Sequence, residues 1–189
     1  MSDPYVYPGT DVLRNKEGIQ DASELEAFER LATANRMETL PDSVPITAEG
    51  YCAIHRYLFQ DVYDWAGQYR LVDIARTDDL FCLAPYVERE LVKRFAAIQA
   101  ENGLRGLSAE RFAARAADHM AELNAIHPFR EGNGRTQRAF LSVLGRQAGH
   151  DIAMEQIDAQ AWNEASRDSF RTGNPRAMYD IIAGAIRQQ

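Results

Sequence analysis

The chain has 189 residues, 46% of them hydrophobic, which suits one packed core and is short for two full domains. A formal net charge of -7 and a sequence pI near 5.1 argue against a nucleic-acid clamp, so any anionic ligand must be gripped locally and no direct nucleic-acid partner is expected. No apolar run approaches the roughly 20 residues that span a bilayer and no leader pattern opens the chain, predicting a cytoplasmic protein without a membrane partner, while Cys52 and Cys82 form no metal or disulfide pattern.

Residues 1–20, with Pro4, Pro8, Gly9 and Gly18, read as an extended arm with turns. Ser23 offers an N-cap for a helix burying Leu25, Phe28, Leu31 and Ala32, which Pro41 and Pro45 end. Thr47 caps a second helix with Tyr51, Ile54, Leu58 and Val62 on its apolar face, running towards Gly67. The runs 71–75 and 80–83, joined by turn-prone Arg76-Thr77-Asp78-Asp79, predict a β-hairpin over 71–84 that Pro85 closes. Helical patterning resumes over 87–100 and breaks at 101–106. Ser108 then caps a long helix whose Phe112, Ala116, His119, Met120, Leu123 and Ile126 recur at three- and four-residue steps, delivering His127 before Pro128 stops it. Another helix opens near 133–135, turns Ala139, Phe140, Val143 and Leu144 inward and ends at Gly145 or Gly149. Trp162 follows, then a last helix near 175–187. The expected fold class is all-α, a helical bundle with one small hairpin, forming a single domain over 1–189 with its chemistry in 108–149.

That chemistry sits in His127-Pro128-Phe129-Arg130-Glu131-Gly132-Asn133-Gly134-Arg135-Thr136-Gln137-Arg138. A helix start exposes unpaired N–H groups and a positive dipole end, a ready phosphate site, and Gly132 and Gly134 let the backbone approach while Asn133 offers a side-chain donor. Arg135 and Arg138, three apart, rise from one helix face and suit a triphosphate, with Arg138 reaching the outermost phosphate. A carboxylate at Glu131 beside phosphate oxygens makes sense with Mg²⁺ between them. His127 is placed to act as general base on an attacking hydroxyl.

This segment resembles, without departure, the signature of the Fic (filamentation induced by cAMP) domain family, HPFx(D/E)GNGRxxR, and Ile54–Arg70 and Tyr7-Pro8-Gly9-Thr10 also resemble bacterial Fic proteins. The resemblance implies a helical Fic core and transfer of AMP from ATP to a protein hydroxyl, with His127 as base, Glu131 on Mg²⁺, residues 132–134 as anion hole, and Arg135 and Arg138 on the phosphates. It implies that the hairpin is the family's flap, along which a target protein docks by strand addition, with Ile74 and Leu83 as flap contacts. Asn102 and Leu104 are weaker candidates for the adenine pocket, and His55, His119 and His150 are assigned to packing or surface.

Related proteins are restrained by a helix bearing Ser/Thr-x-x-x-Glu, whose glutamate pairs with the outer signature arginine; no such sequence occurs in this chain. It therefore resembles Fic toxins held by a separate small helical antitoxin, here one presenting its glutamate to Arg138, and type II topoisomerase subunits are the family-expected targets. Transfer of UMP or phosphocholine by the same loop, and a non-catalytic nucleotide-binding or protein-docking module, are the alternatives. Gly134, where a kinase variant carries Lys, disfavours phosphorylation, and too few His or Asp surround His127 and Glu131 for a metal hydrolase.

Overall fold

A computed structural model describes residues 3–76 and 79–187. Among them run seven α-helices: α1 (Ala22–Glu38), α2 (Ala48–Phe59), α3 (Val87–Ala100), α4 (Ala109–Ile126), α5 (Asn133–Ala148), α6 (Ala159–Thr172) and α7 (Arg176–Ala185). Helix α4 is the hub, packed against α3, α5, α6 and α7, because its apolar stripe of Phe112, Ala116, Met120 and Leu123 is fully buried. Leu141, Val143 and Leu144 of α5 and Trp162 of α6 complete the same core. The fold is helical as expected, with one antiparallel strand pair, β1 (Ala75–Arg76) and β2 (Asp79–Leu80).

Several local expectations change. The hairpin's strands are two residues long, and its turn residues 77 and 78 lie outside the described residues. Asp21, not Ser23, caps α1: its carboxylate accepts the Glu24 N–H at 2.9 Å, and the Ser23 hydroxyl merely donates to it. The inward stripe of α1 is Leu25, Glu29 and Thr33, whereas Leu31 is 66% exposed, because Glu29 finds two strong partners inside and its burial fixes the helix rotation. Helix α2 stops at Phe59, well short of Gly67, and the chain turns there because the amino-terminal arm binds it: Lys16 N–H donates to Val62 O at 2.9 Å. Gly149, in a left-handed conformation (φ 89°), ends α5. Helix α6 escaped the sequence reading because only a thin stripe of Trp162, Ala165, Ser166 and Ser169 is buried among charged neighbours.

The arm folds back on itself through the Val6–Leu13 bridge. Its Asp3 then accepts from Arg130 Nε at 2.9 Å, tying the start of the described chain to the loop between α4 and α5.

Candidate active site

Helix α4 ends in His127, which adopts the left-handed conformation (φ 48°), and α5 opens after Gly132 (φ 83°). A left-handed non-glycine residue needs outside support. Buried Arg70 supplies it: Nε donates to His127 O at 2.8 Å, Nη1 to Val72 O at 2.8 Å, and Nη2 to Ile126 O at 3.3 Å and to Cys82 O. The guanidinium thus caps the negative end of α4 and joins it to the hairpin. Burial lowers its pKa, with Cys82, Asp73 and Tyr5 acting in the opposite sense. Arg70→Met is expected to leave these carbonyls unpaired and lower stability by about 2–4 kcal/mol, read as a fall in Tm; an unchanged Tm would remove Arg70 from this account.

The loop itself is braced from within. Asn133 Oδ1 accepts the Phe129 N–H at 3.0 Å and its Nδ2 donates to Phe129 O at 2.8 Å, so the side-chain donor expected to meet phosphate is engaged inside the loop. The contribution of Asn133 to an anion is its backbone N–H. That group, with the N–H of Gly134 and Arg135, precedes the first intrahelical bond of α5, Thr136 N–H to Gly132 O at 3.0 Å. A Cβ on Gly132 would lie 2.2 Å from Phe59 Cζ, so only glycine fits at that position.

His55 holds the loop from beneath. Its Nδ1 accepts the Gly67 N–H at 2.8 Å, which places the ring proton on Nε2, and that nitrogen donates to Glu131 O at 3.0 Å. The ring lies 3.8 Å from Phe129 and 4.6 Å from Phe59, centroid to centroid, and burial pushes its pKa down to about 3. The packing assignment for His55 is right, but it had no link to the site in sequence.

All seven residues expected from the signature, His127, Glu131, Gly132, Asn133, Gly134, Arg135 and Arg138, line one cavity of about 440 Å³, walled by α1 on one side and α6 on the other. His127 Nδ1 lies 3.2 Å from Asn124 O. A carbonyl only accepts, so Nδ1 carries the proton and Nε2 is the basic nitrogen. Phe81, just after β2, stacks on the imidazole at 3.9 Å and 20°, bringing the hairpin against the site. Ile74, by contrast, contributes its carbonyl, which accepts the Phe81 N–H at 3.2 Å, and Leu83 is 39% exposed.

The two arginines differ. Arg135 pairs with Glu29 of α1, whose other oxygen accepts from the Tyr63 hydroxyl, and Arg135 also lies over the Phe59 ring at 4.8 Å. Its positive charge is therefore compensated inside the fold. Among the described residues no carboxylate comes within ion-pair distance of Arg138, whose pKa is lowered by burial and then by Arg135, with Asp158 acting in the opposite sense. Of the two signature arginines, Arg138 is the one without an ion pair among the described residues.

Glu131 is half-exposed in the cavity, and its Oε1 accepts the Gly132 N–H at 2.8 Å and faces Arg135 Nη2 at 3.4 Å. One hard carboxylate beside an anion-binding helix mouth fits Mg²⁺ shared with phosphates. Among the described residues no group of three His, Cys, Asp or Glu could hold a metal alone, so such an ion would depend on the nucleotide. Asn102 and Leu104 do not line this cavity; they occupy the left-handed turn between α3 and α4, with Leu104 fully buried, and Asn163 and Ser166 of α6 stand in the cavity instead. No sequence signal pointed to α6, since polar residues on an unassigned segment read as solvated.

Comparison with known proteins places this geometry. Residues 45–144 match the Fic/DOC family model. The chain is 45% identical over 172 residues to "Probable protein adenylyltransferase y4lH" of Sinorhizobium fredii, covering 90% of this chain and 89% of that protein. It is 38% identical over 187 residues to "Probable protein adenylyltransferase Fic" of Escherichia coli, covering 98% and 93% respectively. Among solved structures, the Bartonella tribocorum effector BepC with bound AMPPNP superposes with a TM-score of 0.89 at 29% identity, over 98% of this chain and 97% of that one. By this family match and these relatives, the chain belongs to the Fic/DOC family.

Proposed function

We propose that this protein transfers AMP from ATP to a hydroxyl side chain of another protein. The reading rests on one juxtaposition: a histidine whose basic nitrogen is Nε2 shares a cavity with a helix mouth and an uncompensated arginine. The triphosphate lies with its α-phosphate over the N–H groups of residues 133–135 and its outer phosphate at Arg138. His127 Nε2 takes the proton of the target hydroxyl as that oxygen attacks the α-phosphorus; the P–O bond to the β-phosphate breaks and pyrophosphate leaves. The N–H groups and Arg138 stabilise charge that grows on the phosphate oxygens. Glu131 would hold Mg²⁺, which would neutralise charge on the diphosphate leaving group. The relatives named as adenylyltransferases and the AMPPNP held by BepC support this choice over UMP or phosphocholine.

The same cavity supports control by a separate helical antitoxin. An incoming glutamate would find at Arg138 the signature arginine that Glu29 of α1 leaves unpaired, and would compete there with the outer phosphate. A target strand would add along the hairpin at Ile74 and Leu83, with type II topoisomerase subunits the first substrates to assay.

Incubation of the protein in bacterial lysate with α-labelled or γ-labelled ATP tests the reaction. Protein label from the α position alone is expected. Label from γ alone means phosphorylation, and label from neither means a module that binds without transfer.

A further inference from the structure

Helix α6 is set along the cavity like a ruler. Its first residues lie beside Arg138, on which Asp158 acts electrostatically and whose cavity Ala159 lines. One turn on, Asn163 Oδ1 stands 3.2 Å from where a Cβ of Gly134 would be, directly over the anion hole. At the next turn Ser166 meets the base of His127: Asn124, whose carbonyl faces the imidazole, donates its Nδ2 to Ser166 O at 3.0 Å. A further turn brings Phe170 against Phe81, ring centroids 5.0 Å apart. A nucleotide whose phosphates run from Gly134 to Arg138 therefore has its sugar at Ser166, about 4.5 Å along the helix axis from Asn163, and its base towards the Phe81–Phe170 pair.

Ser166 carries a buried hydroxyl with no hydrogen-bond partner among the described residues. The residue is 4% exposed and lines the cavity. Its backbone is held, because the carbonyl accepts from both Asn124 Nδ2 and Ser169 Oγ at 3.0 Å, so the hydroxyl has rotation about χ1 as its freedom within a residue that lines the cavity. A buried hydroxyl left unsatisfied in a packed wall is unfavourable unless a ligand completes it. We propose that Ser166 is a specificity-determining residue whose hydroxyl bonds a hydroxyl of the nucleotide's sugar, selecting ribonucleotides over deoxyribonucleotides. This rests on the nucleotide orientation of the proposed function.

Calorimetric titration of the full chain with ATP, 2′-deoxy-ATP and 3′-deoxy-ATP tests it without needing the target protein. The native protein is expected to bind ATP about three- to tenfold more tightly than one of the deoxy analogues, the worth of a single hydrogen bond. Ser166→Ala is expected to bring ATP down to that analogue, with Tm unchanged or higher because the lost hydroxyl had no partner. A preference that survives in Ser166→Ala, or no preference in the native protein, overturns the assignment while leaving AMP transfer standing. Failure of every nucleotide to bind overturns both.

Discussion

His127→Ala is expected to lower AMP transfer by about 10² to 10⁴, with ATP binding within a few-fold of native. In the proposed reaction the difference arises because the imidazole serves the incoming hydroxyl, whereas the phosphates would be held by the backbone of residues 133–135 and by Arg138, which line the same cavity. Alanine also loses the stacking contact with Phe81 and inherits a left-handed backbone, so the alanine variant by itself does not separate loss of the base from loss of local structure. His127→Asn answers that concern: asparagine tolerates the left-handed region, while its amide cannot take a proton. Both variants should lose transfer alike and keep ATP affinity, as read by label from α-labelled ATP and by calorimetry. Retained transfer in His127→Asn would sink the assignment of the base.

The second large effect concerns a residue that never meets substrate. His55→Ala is expected to destabilise the fold by about 3–5 kcal/mol. It empties a buried slot between Phe129 and Phe59 and leaves the Gly67 N–H and Glu131 O unpaired. In a chain of this size that is a fall in Tm on the order of 10 °C, and a Tm within 2 °C of native, about the effect of 1 kcal/mol, would refute the bracing role. The same burial has a signature in pH. His55 binds its proton near the ordinary 6.5 when unfolded but only at about 3 when folded, so the unfolded state holds more protons between these values. Stability is therefore full above pH 6.5 and falls as the pH drops towards 3, by up to about 1.4 kcal/mol per unit from this group. His119, also pushed down by burial, adds to the slope in the same direction. Denaturant titrations at pH 7 and pH 5.5 should thus show a shallower dependence in His55→Gln than in the native protein, and equal slopes would contradict the buried, neutral imidazole.

The parts of the site that share one short segment were legible in the sequence. Ser108 and Thr47 cap the helices expected of them, and the signature from His127 to Arg138 could be read as a phosphate-binding helix mouth because every group it needs is local. Groups that serve the loop from elsewhere were not. Arg70 follows a glycine turn and looks like a surface cation until four carbonyls from α4 and the hairpin close around it. Glu29 interrupts an otherwise apolar stripe, and nothing in α1 tells that Tyr63 and Arg135 wait for its carboxylate. Asn133 shows the reverse error, a polar side chain assigned to the ligand that instead ties the loop together.

By itself, then, the amino-acid order determined the helical class and the segment whose signature residues line one cavity, because periodicity, capping and a glycine-flanked helix start act over a few residues. Only the packed chain decided which signature arginine is paired with Glu29, which tautomer His127 adopts, and which wall of α6 faces the cavity. Those outcomes depend on pairings between residues tens to a hundred positions apart. Desolvation there makes each partner decisive, and no local pattern encodes it.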